Sequence, residues 1–219
     1  MTGSGRFITL DGPGGVGKST TAAALTGFLT SHGEQVYTTA EPSHSELGRF
    51  VREHADRYQG ATLACLVAAD RHDHLARDVV PRLDTGVTVV CDRYVASSLV
   101  LQRLDGVPQQ YLVDLNAGMR MPDLAVILTA DPRNIAGRIA QRGATHRFNR
   151  DPEAPTRETA LYKEAVSILR GMGVRVLMVD TGVASPKEVA ERIAGFVISD
   201  LGTVPQQPDS ARRQGASPS

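Results

Sequence analysis

Thr9-Leu10-Asp11-Gly12-Pro13-Gly14-Gly15-Val16-Gly17-Lys18-Ser19-Thr20 fits G-x-x-x-x-G-K-S, and its flanks supply the setting that motif needs. The run before it, Arg6–Leu10, is apolar and reads as a buried strand. After it, Ser19–Leu29 carries helical spacing. A glycine-rich turn between strand and helix lets backbone N–H groups curl around a phosphate, and the helix N-terminus points at the same anion. Gly12, Gly14, Gly15, Val16, Gly17, Lys18, Ser19 and Thr20 are therefore the expected ATP-binding residues. Lys18 is expected to reach the β- and γ-phosphates, and the Ser19 hydroxyl to ligate Mg²⁺.

Outward from this loop, apolar runs alternate with helical patterns. The expected strands are Arg6–Leu10, Gln35–Thr39, Gly86–Cys91, Leu124–Leu128 and Val174–Val179. Helical spacing covers residues 45–55, 62–83, 95–103, 109–120, 135–141, 156–171 and 187–199. Uniformly apolar strands separated by helices predict an α/β fold of the P-loop NTPase type, a five-stranded parallel sheet covered on both faces. Ligands of such sheets sit beyond the carboxyl ends of the strands, which sets Asp11, Glu41, Asp92 and Thr129 along one rim.

A chain of 219 residues at 41% hydrophobic content suits one domain, expected over residues 1–200. The segment 201–219, rich in Pro, Gln, Ser and Arg, is expected to be a disordered tail. Zero net charge argues against a nucleic-acid polymer as partner. Two cysteines make no disulfide framework, and both Cys65 and Cys91 read as reduced core residues. There is no secretory layout and no apolar run near 20 residues, so a cytoplasmic protein without membrane attachment is expected.

Asp92 and Arg93 follow the Val-rich third strand. If that strand neighbours the first, Asp92 stands beside the phosphate loop, where a carboxylate holds Mg²⁺ through water. Arg93 then offers a planar guanidinium to a phosphate. The competing reading is an ion pair at a strand end. The segment 142–152 carries Arg142, Arg147 and Arg150, and reads either as a flap that closes over phosphates or as a solvated basic loop. Only three lysines occur, so Lys18 stands out against its background. Asp70, Arg71 and His74 interrupt an apolar helix, and either face the site or mark where that helix leaves the core.

In these blocks the chain resembles the thymidylate kinases, across about residues 6–199. Carrying the resemblance are Phe7–Gly12 through Lys18-Ser19-Thr20, Glu41-Pro42, Ala69-Asp70-Arg71, Asp92–Ser98 and Met121-Pro122-Asp123-Leu124. It implies ATP-dependent phosphorylation of a pyrimidine nucleoside monophosphate, dTMP or a modified relative, with ATP and Mg²⁺ bound and a homodimer as the assembly. Lys18, Arg93, Arg142 and Arg147 would be catalytic, the last two as lid arginines, and Ser19 and Asp92 would serve the metal. Acceptor binding would fall to Asp11, Glu41, Pro42, Val67, Arg71, Arg93, Ser98, Leu101 and Gln102, with Arg71 donating to a base carbonyl. Departures from the family cluster at the acceptor. Val67 stands where a phenylalanine usually stacks on the base, and Leu101 where a tyrosine is common. Ala40 precedes Glu41-Pro42 where arginine is usual, and Ser43-His44-Ser45 replaces a glycine-rich loop. The alternatives are a deoxynucleoside kinase, whose acidic residue at a strand end acts as base on a 5′-hydroxyl, and a nucleotide-binding protein without transfer activity.

Overall fold

The structure is a computed structural model that describes residues 5–142, 151 and 153–201. Its centre is a parallel sheet of β1 (Phe7–Asp11), β2 (Val36–Ala40), β3 (Thr88–Asp92), β4 (Leu124–Thr129) and β5 (Val176–Asp180), in the order β2-β3-β1-β4-β5. Side chains alternate across it. Phe7, Val89 and Cys91 face one apolar cluster, while Ile8, Leu10 and Val90 face the other. Both faces must therefore be covered, which explains why these strands are apolar almost throughout.

One face is covered by α1 (Lys18–Ser31) and α9 (Pro186–Leu201), through residues such as Leu25, Leu29, Ile193 and Val197. The other carries α3 (Gly60–His74), α5 (Val95–Leu104), α6 (Gln109–Leu115) and α8 (Ala154–Gly171), through Ala64, Leu99, Leu112 and Leu169 among others. The remaining helices are α2 (Glu46–His54), α4 (Val80–Asp84) and α7 (Pro132–Arg142).

Register brings the carboxyl ends of the strands together. Leu10 of β1 pairs with Asp92 of β3, and Asp11 with Ile127 of β4. The third strand is thus a direct neighbour of the first, as the reading of Asp92 required.

Three local expectations change. The single helix over 62–83 is interrupted by a π-type turn, Leu75–Val79, before α4. Pro81 has no N–H to donate back to the preceding turn, and the chain widens just upstream, where the Val80 N–H reaches Leu75 O. Helix α6 stops at Leu115 instead of running to Arg120, because Gly118 takes a left-handed φ of 78°. Cys65 is exposed, not part of the core, whereas Cys91 is buried as expected. The expected flap 142–152 lies largely outside the described residues, including Arg147, Arg150 and the side chain of Arg142, as do 202–219 of the tail. Among the described residues no helix is long and apolar enough to cross a membrane.

Candidate active site

The phosphate loop runs from Gly12 into α1, whose N-cap Gly17 has φ 101° and offers no side-chain cap. The first N–H groups of α1 thus have no capping side chain, the arrangement that receives an anion. Lys18 folds back over the loop, its Nζ donating to Gly12 O at 2.8 Å and Pro13 O at 2.9 Å. Burial pushes this ammonium down to about 7, and the nearby Arg93 charge adds to the effect.

The loop is gripped from two sides. A Cβ on Gly15, which has φ 80°, would lie 2.9 Å from Ile139 Cγ1 of α7, so only glycine fits there. From α8, the buried Glu158 carboxylate accepts from the Gly14 N–H at 2.9 Å. Burial raises the pKa of Glu158, partly offset by that hydrogen bond and by Arg93 and Lys18. Glu158 carried no motif signal. Its role became visible only when α8 was packed against the loop.

Asp92 Oδ2 accepts from Ser19 Oγ at 2.5 Å, while Asp92 Oδ1 is buried with no hydrogen-bond partner. A hydroxyl and a partly unsatisfied carboxylate in contact are the oxygen donors a hard divalent cation takes. Arg93 follows with φ 75°, a left-handed conformation rare for a side chain of this size. Asp11 fixes that turn. It lies in neither cavity, contrary to its expected acceptor contact, because it is fully buried and its Oδ1 already accepts from Tyr94 N, Ser97 N and Ser97 Oγ. Burial raises its pKa, and Oδ2 has no hydrogen-bond partner.

Two cavities open along this rim. The larger, about 600 Å³, is lined by Gly14 to Thr21, Asp92, Arg93 and Arg138, with Thr181, Ala184, Pro186 and Val189; Thr181 Oγ1 donates to Val16 O of the loop at 2.9 Å. The smaller, about 310 Å³, has apolar walls from Val51, Leu63, Val67 and Leu101 and a polar floor from Arg71, Ser98 and Gln102. Glu41, Pro42, Arg52 and Arg93 line both. Gln102, which lines this cavity, has its Oε1 buried without a hydrogen-bond partner. Arg71 is held at three nitrogens: Nε to Glu41 Oε2 at 2.6 Å, Nη1 to Asn116 Oδ1, and Nη2 to Ser98 Oγ at 3.0 Å. Its guanidinium also lies 5.0 Å from the Tyr94 ring centroid. Asp70, Arg71 and His74 are all buried, so the charged cluster in α3 faces inward.

The Glu41 carboxylate is only 3% exposed and is paired with Arg71 and His74, so it orients the arginine. Asp70 similarly accepts from Ser43 N and Ser43 Oγ, both at 2.6 Å. Ser45, beside it, caps α2 through the Gly48 N–H. That network aims α2, and with it Val51 and Arg52, at the cavities. Arg52, Asn116 and Glu158 were missed in the sequence because single polar residues on helices carry no spacing signature.

A family model described as thymidylate kinase matches residues 10–193. The thymidylate kinase of Rhizorhabdus wittichii is 34% identical over 200 residues, covering 86% of this chain and 95% of that protein. That of Clavibacter michiganensis is 41% identical over 155 residues, covering 67% and 72%. Among solved structures, thymidylate kinase from Candida albicans superposes with a TM-score of 0.75 at 19% identity, covering 91% of this chain and 93% of that one.

Proposed function

The chain belongs to the thymidylate kinase family, and from that premise we propose that it moves the γ-phosphoryl group of ATP onto the 5′-phosphate of dTMP. As a family member it is a phosphotransferase, a nucleoside monophosphate kinase. The observation that carries the acceptor reading is the shared border of the two cavities. A monophosphate whose base occupies the smaller one would present its phosphate at Arg52 and Arg93, beside the end of a triphosphate held over Lys18.

An acceptor phosphate oxygen then bonds to the γ-phosphorus as the bond to the β,γ-bridging oxygen breaks, releasing ADP. No general base is needed, since the attacking oxygen is already anionic. Lys18 and Arg93 stabilise charge that spreads over the transferred group. Ser19 and Asp92 would hold Mg²⁺, which when bound neutralises charge on the β- and γ-phosphates. In the smaller cavity the second N–H on each terminal nitrogen of Arg71 remains for a base carbonyl, and Gln102 Oε1 for a ring N–H. A pyrimidine with a 4-oxo group and a protonated N3 satisfies both.

A coupled assay over thymidine, deoxycytidine, dTMP, dUMP, dCMP and dGMP tests this. The expected result is turnover of monophosphates with dTMP preferred. Turnover of thymidine with none of dTMP would establish the nucleoside kinase alternative, and ATP binding without any acceptor would leave a non-transferring nucleotide binder.

A further inference from the structure

We propose that His74 is a positioning residue for substrate selection, holding Glu41 so that Glu41 can hold Arg71. The inference rests on reading the smaller cavity as the acceptor-base site.

His74 is 1% exposed, sits at the end of α3 and touches neither cavity. Its Nδ1 lies 3.3 Å from Glu41 Oε1, and its Nε2 lies 2.8 Å from Thr39 Oγ1 at the end of β2. Glu41 Oε2 takes Arg71 Nε at 2.6 Å. A carboxylate that accepts from an arginine on one oxygen can only accept on the other, so His74 Nδ1 carries a proton toward it. In the neutral ring Nε2 then accepts from the Thr39 hydroxyl. The result is a buried chain, Thr39 to His74 to Glu41 to Arg71, ending on a guanidinium in the cavity floor.

Two consequences follow from removing the ring nitrogens. Glu41 Oε1 would lose its partner inside the protein, and the carboxylate would turn toward the cavities, both of which Glu41 lines. There it would repel the phosphates of either nucleotide. Arg71 would lose the fixed counter-charge that sets the plane of its fork, and with it the angle of the N–H groups offered to a base carbonyl. The second effect discriminates among bases: thymine presents an accepting O4 where cytosine presents a donating amino group. A histidine that merely filled space in the core would influence neither.

The test is kinetic, comparing kcat/KM for dTMP with that for dCMP, and KM for ATP, in wild type, His74→Phe, His74→Asn and Thr39→Val. His74→Phe keeps a planar ring, somewhat larger, and removes both hydrogen bonds. It is expected to raise the dTMP KM and to reduce the dTMP-to-dCMP preference, each by about tenfold. The change in KM for ATP should be smaller. His74→Asn, whose amide can donate as Nδ1 does, should recover part of the preference. Thr39→Val should lower it in the same direction by about threefold, and it decides the matter should His74→Phe not fold. A wild-type preference in folded His74→Phe, or in Thr39→Val where the former is unfolded, overturns the proposal. If wild-type enzyme phosphorylates neither nucleotide, the acceptor reading itself has failed. Normal discrimination in wild type with unchanged variants defeats only the role of His74.

Discussion

Lys18 shows how one residue can be legible by motif and still owe its properties to packing. Nothing in G-x-x-x-x-G-K-S says that the loop buries the ammonium against two carbonyls. Burial lowers its pKa to about 7. In free enzyme, therefore, Lys18 loses its proton as pH rises through that value. The kcat/KM for ATP should decline from pH 6.5 to 8.5, while kcat, measured with phosphates bound against the ammonium, should keep its value to higher pH. Stability has the opposite sign. Between about pH 7 and 10.5 the unfolded chain holds a proton that the native chain lacks, so this residue contributes a rise in stability with pH. Urea midpoints at pH 6.5 and 9 should show Lys18→Met gaining more over wild type at the lower pH, and equal gains would refute the burial argument. Val67 is the second residue whose identity matters alone. It contributes an aliphatic wall to the smaller cavity, where, on the proposed reading, an aromatic ring would stack on a base. Stacking of this kind is worth about 1–3 kcal/mol. Val67→Phe should lower the dTMP KM by about fivefold or more, and a raised KM would mean that the base lies elsewhere in the cavity.

Among the elements, α7 and α8 do more than cover the sheet. Ile139 of α7 closes on Gly15, and Glu158 of α8 holds the Gly14 amide, so the phosphate loop is shaped by the two helices that bracket the segment 143–152. Gly15→Ala would force a methyl into Ile139 and place alanine at φ 80°. Left-handed backbone costs a residue with a Cβ about 1–2 kcal/mol before any clash is counted. The expected outcome is a KM for ATP raised about tenfold or more, with the dTMP KM little changed. Isothermal titration with each nucleotide separately would check this, and equal weakening of both would argue for general unfolding of the site. The glycine itself was legible, but its partner was not, because a helix over 135–141 read from periodicity has no address on the sheet.

For the molecule as a whole, strand order decides the chemistry. Ser19 and Asp92 are 73 positions apart, and they touch only because β3 pairs directly with β1 in the register Leu10 with Asp92. Had another strand intervened, a spacing of about 4.8 Å between strands would have carried Asp92 out of contact. Asp92→Asn should keep the fold, since the amide oxygen still accepts from Ser19, while losing the charge that favours a divalent cation. The Mg²⁺ concentration needed for half-maximal activity should rise about tenfold or more, with partial recovery at high Mg²⁺. An unchanged Mg²⁺ requirement would show that Asp92 takes no part in holding the cation. The same convergence sets Arg93, held in its turn by Asp11, at the border of both cavities.

The sequence by itself determined the parallel sheet, because central strands covered on two faces must be apolar almost throughout, as Phe7–Leu10 and Leu124–Leu128 are. It also determined the phosphate loop, because anion capture by backbone amides demands glycines at fixed spacing before a helix. Asp92-Arg93-Tyr94 was readable beside the loop because it ends a Val-rich strand, whereas Ala69-Asp70-Arg71 took on a role only through the family resemblance, its own pattern leaving open whether it faces the site. Only the tertiary structure decided which carboxylates remain free. Asp11 and Glu41 look alike in sequence as strand-end acids, yet one staples a turn and the other clamps Arg71. Their partners come from elements far along the chain, and a contact made by packing leaves no periodic trace in the residues that make it.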